Sequence, residues 1–392
     1  MKIVEIREQA IPFQSKIANS VVDFSQMTGS VVAIKTDIIR EGKPVIGYGF
    51  NSIGRYAPSS TLRDRMIPRL IYAYNTNASN ILDETGENFD PFKIWDIVMK
   101  NEKPGGHGDR AHAVGAIDMA VWDAVAKIEE KPLWRLLSER YNSGDYDEHV
   151  VTYAAGGYYY PGKGLDALKD EMNSYLKRGF TAVKMKIGGA SLAEDIKRLE
   201  AVIEIVGSGT KVAVDANGRF DLETAIAYGK AMAPYKIMWY EEPGDPLDYG
   251  LHAALSEHYE GPLATGENLF SLQDARNLIR YGGMRSDRDF LQIDVPLSYG
   301  LVEYLRILDM LKLHGWNRRR CVPHGGHQMC LNIAAGLQLG GNECYPDVFK
   351  PFGGFADHIP VKDGCVRLPD CPGIGFETKK DLYEVMRQVG DQ

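Results

Sequence analysis

Six strand-like segments in the second half of the chain each finish on a side chain able to do chemistry. They are Lys186 in AVKMKIGG, Asp215 in KVAVDANG, Glu241 in IMWYEEP, Glu267 in PLATGEN, Asp294 in FLQIDVP and His324 in RRCVPHGG. Taken singly, each reads as a helix cap or a surface charge. Six in succession, with complementary chemistry, point to a common site. Lys184 and Lys186 lie two apart on a strand, so their side chains point the same way. Two ammonium groups aimed into a dry core are costly to bury. The flanking Val183, Met185 and Ile187 argue against open water. A space where negative charge must be met accounts for both observations.

Asp215, Glu241 and Glu267 on three successive strands repel one another unless a cation joins them. Three oxygen donors with no Cys or His among them suit a hard ion, Mg²⁺ first and Mn²⁺ as a substitute. The competing reading pairs the acids with the lysines alone, and it leaves acid in excess once Asp294 is included. Glu242 should point the other way along its strand and reads as a supporting group. Asn217, two residues past Asp215, is placed to hydrogen-bond a ligand or a carboxylate. An Asp beside a His fixes the ring tautomer and raises its basicity, so Asp294 and His324 read as an acid–base pair. His327 is secondary. Neighbouring positive charge lowers the pKa of a lysine. One of Lys184 and Lys186 is thereby brought towards general-base range, while the other stays charged and holds an anion.

The spacing of these residues names the elements that position them. The steps from Lys186 through Asp215, Glu241, Glu267 and Asp294 to His324 are 29, 26, 26, 27 and 30 residues. Each step fits one strand, one helix and two loops, and a right-handed run of such units closes into a (β/α) barrel. HVVTYAA is a further strand at the start of the run. A doubly wound sheet is the competitor, but no GxGxxG follows a strand and too many strand ends are polar for one crevice. Ahead of the barrel, SVVAIKTDI and PVIGYGFNS read as a hairpin joined by REGK. Helical patterns follow at 63–77, 92–100 and 111–128.

Composition narrows the class. The 392 residues are 44% hydrophobic and 25% charged, as in soluble globular proteins. The net charge is −8 and the longest basic run is Arg318–Arg319–Arg320, too short to argue for a nucleic-acid groove and read instead as solvated or paired within the fold. No apolar run approaches membrane-spanning length and the start lacks a signal-peptide pattern. Cys321, Cys330, Cys344, Cys365 and Cys371 are odd in number and contain no CxxC pair. They read as reduced thiols in a cytoplasm rather than a disulfide framework or a zinc site.

Lys184-Met185-Lys186, the acids Asp215, Glu241 and Glu267, the pair His324 and Asp294, and AIDMAVWDAVAKIEEKPLWRLL together resemble the enolase superfamily, mandelate racemase subgroup. The resemblance covers nearly the whole chain. It implies an α/β fold: a modified TIM (β/α)7β-type barrel over residues 131–350, with an α+β capping domain from residues 1–130. Residues 351–392 would return to the cap. It also implies a shared first step, in which Mg²⁺ binds a substrate carboxylate, Lys186 removes the α-proton, and Mg²⁺, Lys184 and a last-strand acid stabilise the enediolate. Glu343 falls near that last position, with Asp347 the poorer choice. The resemblance further implies that His324 can then protonate a leaving β-hydroxyl, which would make the chain a hydro-lyase of the acid-sugar dehydratase branch.

Within the branch, the resemblance implies D-tartrate as the favoured substrate, giving oxaloacetate. A diacid needs a cationic contact at its far carboxylate, for which Lys16, Arg55, Lys103 and His107 are candidates. Asn19, Ser20, Asn51, Tyr56 and Tyr160 are candidate hydrogen-bonding partners. The resemblance also implies a homo-oligomer, dimer or octamer, with no nucleic-acid or membrane partner. An aldonate or aldarate dehydratase and a racemase or epimerase stay open on the same residues. A Schiff-base aldolase and a non-enzymatic binding protein are disfavoured by the three acids and by the complete acid–base set.

Overall fold

The computed structural model describes residues 1–15, 22–160 and 162–391. The chain opens with an antiparallel sheet of β1 (Ile3–Pro12), β2 (Thr28–Arg40) and β3 (Lys43–Phe50), in that order. The expected hairpin is β2–β3. The helices that follow are α1 (Ser59–Thr61), α2 (Ile67–Thr76), α3 (Pro91–Val98), α4 (Asp109–Ile128) and α5 (Leu133–Tyr141). α4 is buried along almost its whole length because its small residues let strands approach. A Cβ on Gly47 or Gly49 would come within 2.1 or 2.3 Å of the carbonyl oxygens of Ala120 and Ala116. β3 and α4 therefore meet backbone to backbone.

From residue 150 strands and helices alternate. The strands are β4 (Val150–Gly156), β5 (Val183–Lys186), β6 (Val212–Asp215), β7 (Tyr240–Glu241), β8 (Leu263–Thr265), β9 (Phe290–Leu291) and β10 (Asn342–Cys344). They form one parallel sheet in the order β10-β4-β5-β6-β7-β8-β9. Outside it lie α6 (Leu165–Lys177), α7 (Leu192–Val206), α8 (Leu222–Met232), α9 (Tyr249–His258), α10 (Leu272–Tyr281), α11 (Leu301–Leu313) and α12 (Gln328–Gly336). This is the modified TIM barrel of the sequence reading.

The segment RRCVPHGG differs from its expected strand. A three-residue helical turn at Arg318–Arg320 precedes one parallel bridge between Cys321 and Leu291. The Cys321 carbonyl also accepts from Gly340 N at 2.9 Å, which carries the sheet round towards β10. The arginine run is paired within the fold: Arg319 with Asp147, and Arg320 against the Phe290 ring. Past the barrel, β11 (Cys365–Val366) pairs antiparallel with β4, and α13 (Lys380–Asp391) packs on the first sheet, with Tyr383 edge-on to Tyr48. All five cysteines are free. Among the described residues no helix is long and apolar enough to cross a membrane.

Candidate active site

Barrel strands are short here, and the polar side chains stand at or just beyond their C-terminal ends, where barrel sites are built. Lys186 ends β5, Asp215 ends β6 and Glu241 ends β7. Glu267, Asp294 and His324 follow their strands by two or three residues. One oxygen each from Asp215, Glu241 and Glu267 lies within 4.8 Å of the others. Burial, helped by the carboxylates of Asp215 and Glu343 and opposed by Lys184, lifts Glu241 to about 7. That is a carboxylate short of positive charge. An all-oxygen triad in this state fits a hard divalent cation, Mg²⁺ or Mn²⁺, held by Asp215, Glu241 and Glu267.

The lysines divide the acids between them. Lys184 Nζ lies 2.5 Å from Glu241 Oε1 and 2.6 Å from Glu343 Oε1. Burial alone would strip its proton, but Glu241 and Glu343 reverse this and hold the amine charged, well above its usual value. Lys186 pairs with Asp215, which Lys186 and Lys184 lower to about 2 against the cost of burial. Glu241 Oε2 accepts from Trp239 Nε1 at 2.9 Å and from Gln292 Nε2 at 2.7 Å. Asp215 Oδ1 accepts from Asn217 N at 2.8 Å.

The Asp294–His324 pair is assembled from both halves of the chain. Asp294 Oδ2 lies 2.8 Å from His324 Nδ1 and accepts from Ser52 Oγ at 2.6 Å, while Asp294 Oδ1 accepts from Leu297 N at 3.0 Å. Ser52 Oγ is also 3.2 Å from His327 Nε2. The other ring nitrogen of His324, Nε2, lies 3.0 Å from Tyr345 Oη and 3.4 Å from Glu267 Oε2. Burial works against charge on this ring, yet Glu267, Glu343 and Asp294 outweigh it and raise His324 to about 9.

A cavity of about 540 Å³ joins these groups, lined by Arg55, Lys186, Asn217, Glu242, Glu267 and His324. Tyr56, Tyr158 and Tyr345 border it too. Arg55 is half-buried, lies 5.6 Å over the Phe270 ring and has no carboxylate partner among the described residues.

Several sequence candidates fall elsewhere. Asn51 is buried in the cap, where its Oδ1 accepts from Ser30 N at 2.7 Å and its Nδ2 donates to Tyr56 O at 3.2 Å, so its hydrogen-bonding groups are committed to the fold. Tyr160 lines a separate cavity between the segment after β4 and helices α6 and α7, against Lys163, past the left-handed turn at Gly157. Lys103 and His107 line a neighbouring cavity of about 910 Å³, where His107 Nδ1 is held 2.9 Å from Tyr299 Oη. Lys16, Asn19 and Ser20 lie outside the described residues. Asp347 pairs with exposed Arg178, whereas Glu343 is fully buried against Lys184. Lys184 and His324 outweigh burial and hold the Glu343 carboxyl below its usual range, so it stands as an ion partner.

Glu242 corrects the expectation that it points away. Its backbone is left-handed, with φ 39°, which turns the side chain into the cavity, where both oxygens take Asn268 Nδ2 at 2.8 and 3.0 Å. Ser52, Tyr158, Asn268 and Tyr345 were not foreseen. Single polar residues in otherwise apolar stretches give no local signal of a distant partner.

Residues 167–382 match the family described as enolase C-terminal domain-like. The chain is 32% identical over 304 residues to the arabinonate dehydratase of Saccharolobus solfataricus, covering 74% of this chain and 76% of that protein. It is 32% identical over 309 residues to the L-talarate/galactarate dehydratase of Salmonella typhimurium, covering 78% and 73%. A solved structure of L-talarate dehydratase from Polaromonas sp. JS666, complexed with Mg and L-glucarate, superposes with a TM-score of 0.72 at 25% identity, covering 94% of this chain and 92% of that one. The chain belongs to the enolase superfamily, in its mandelate racemase and muconate lactonizing subgroup.

Proposed function

We propose that the protein is a Mg²⁺-dependent hydro-lyase of hydroxy acids and that its substrate is D-tartrate, converted to oxaloacetate and water. The observation that carries this reading is the shared cavity of Lys186, His324 and Arg55, which has no carboxylate partner among the described residues, beside the three-acid cluster. Asp215, Glu241 and Glu267 would hold Mg²⁺, which when bound supplies positive charge beside a substrate carboxylate and acidifies its α-proton.

Lys186 is the base that takes the α-proton. In the sheet order its strand is separated from the Cys321–His324 segment by four strands, β6 to β9, the first three of which lead to the acids of the triad, so base and acid would flank the bound substrate. Lys184, held charged by two carboxylates, faces the developing anion and stabilises it without having to reorganise. His324, oriented through Asp294 and carrying a proton at Nε2, delivers that proton to the departing β-hydroxyl. The resulting enol tautomerises to the 2-keto acid. Arg55 meets the far carboxylate of the diacid, and a cavity of about 540 Å³ admits a four-carbon substrate. The free thiols suit a reducing, cytoplasmic compartment.

The relatives' names favour a second reading, a longer acid sugar as substrate. A panel of tartrate isomers, aldonates and aldarates incubated with Mg²⁺ decides between them. Semicarbazide-reactive keto acid from D-tartrate alone, abolished by EDTA, supports the reading. Turnover of a five- or six-carbon acid with tartrate inert moves the substrate and keeps the mechanism. Inversion seen by polarimetry with no keto acid replaces dehydration by racemisation.

A further inference from the structure

On the outer side of the barrel a hydrogen-bonded cluster grips the backbone at Lys186. Arg198, on α7, donates from Nη1 to the main-chain carbonyl of Lys186 at 2.9 Å and from Nη2 to that of Gly157 at 2.7 Å. Its guanidinium lies 4.1 Å over the Tyr159 ring. Tyr159 Oη contacts the same Lys186 carbonyl at 3.3 Å and donates to Asp195 Oδ1 at 2.7 Å. Asp195 closes the cluster, accepting from Arg198 Nη1 at 2.9 Å, Gly188 N at 2.7 Å and Tyr228 Oη at 3.0 Å. Asp195 is buried, and only 14% of the Arg198 side chain is exposed.

The two carbonyls that Arg198 joins belong to chain segments with separate tasks. β5 is four residues long and Lys186 is its last, so the strand ladder ends there. Gly157 is the turn after β4 and precedes Tyr158, whose ring lies 5.2 Å from Lys186 Nζ. Gly157 has φ 64°, and a Cβ there would lie 2.6 Å from the Met185 Cβ. The turn is thus seated directly on β5. A planar fork with several donors reaches two carbonyls and one carboxylate together, which a lysine cannot do. Stability alone would not require this arrangement, since well-packed apolar side chains often replace a buried ion pair without loss.

We propose that Arg198 is a positioning residue for Lys186: by tying the ends of β4 and β5 it sets the amine under the Tyr158 ring and beside the acid cluster. The inference rests on Lys186 being the base. Arg198→Ala should lower kcat roughly 10²-fold, as misplacement by about 1 Å does, with KM changed less than about threefold. Millimolar guanidinium should restore part of kcat, and Arg198→Lys should recover less, because it lacks the fork. A kcat within about threefold of the unsubstituted enzyme overturns the proposal, as does a loss matched by the fraction unfolded in circular dichroism. If Arg198→Ala does not fold, Tyr159→Phe removes one contact to the same carbonyl and should cost kcat several-fold; no change overturns the proposal.

If the unsubstituted protein turns over no hydroxy acid, the functional reading fails by itself. Arg198 is then judged by acetylation of Lys186 with acetic anhydride, read by peptide mass spectrometry against Lys184. A shifted ratio in Arg198→Ala supports the placement and an unchanged ratio overturns it.

Discussion

His324 is the residue whose removal separates the two halves of the proposed reaction. Only its Nε2 faces the cavity groups, because Nδ1 is committed to Asp294. His324→Asn keeps a polar group of similar reach but cannot deliver a proton. Keto-acid formation should fall by about 10² to 10⁴, the usual worth of a placed general acid. Exchange of the α-proton for solvent deuterium should persist, because Lys186 is untouched. Loss of both processes together, measured by NMR in D₂O, would count against separate roles. Arg55 tests the substrate rather than the chemistry. A half-buried guanidinium with no acidic partner among the described residues should contribute about 1.5–3 kcal/mol through a charged hydrogen bond. Arg55→Ala should therefore raise KM for the diacid by about 10- to 100-fold. The slow turnover of a monoacid analogue should change little, and equal losses for both would remove Arg55 from substrate recognition.

At the scale of elements, legibility followed the backbone. The five strands β5 to β9 and the bridge at Cys321 could be read because each polar residue closes an apolar run and the runs recur at 26–30 residues. β1 gave no such signal: it is an edge strand whose residues are mostly half-buried on both faces, so its alternation is weak. Glu242 was misplaced because the two-residue alternation holds only for extended backbone, and φ 39° breaks it. Ser52 and Tyr345 were illegible for a different reason. Ser52 reaches Asp294 from 242 residues away, so only tertiary packing makes the contact.

That packing depends on Gly115, where α4 meets the loop after Asp294. A Cβ there would lie 1.7 Å from the Pro296 carbonyl oxygen. Gly→Ala within a helix ordinarily stabilises by up to about 1 kcal/mol. Here it should destabilise by about 1–3 kcal/mol through overpacking. Urea unfolding gives the sign, and a more stable Gly115→Ala would show that the contact yields without cost.

For the whole molecule, acid should act through buried imidazoles as well as through the site. His252, on α9, is fully buried, and neither ring nitrogen has a hydrogen-bond partner among the described residues. Burial lowers its pKa to about 4, although Asp248, Asp289 and Asp245 pull the other way. The folded state therefore keeps the ring neutral where the unfolded chain, near 6.5, already binds a proton. Stability from this group is complete above pH 6.5 and is lost as pH falls through the window down to about 4. Asp118 has the opposite sign: burial raises it to about 7, so its folded form binds the extra proton and stability falls as pH rises from 3.8 towards 7. The two trends overlap in the total curve, so the test is a difference. His252→Leu removes one imidazole and leaves the acids in place. Its stability relative to the unsubstituted protein should gain about 2 kcal/mol between pH 7 and pH 5, from 1.36 kcal/mol per unit. Urea midpoints at the two pH values measure this, and a difference that does not move with pH would mean that the ring titrates normally in the fold.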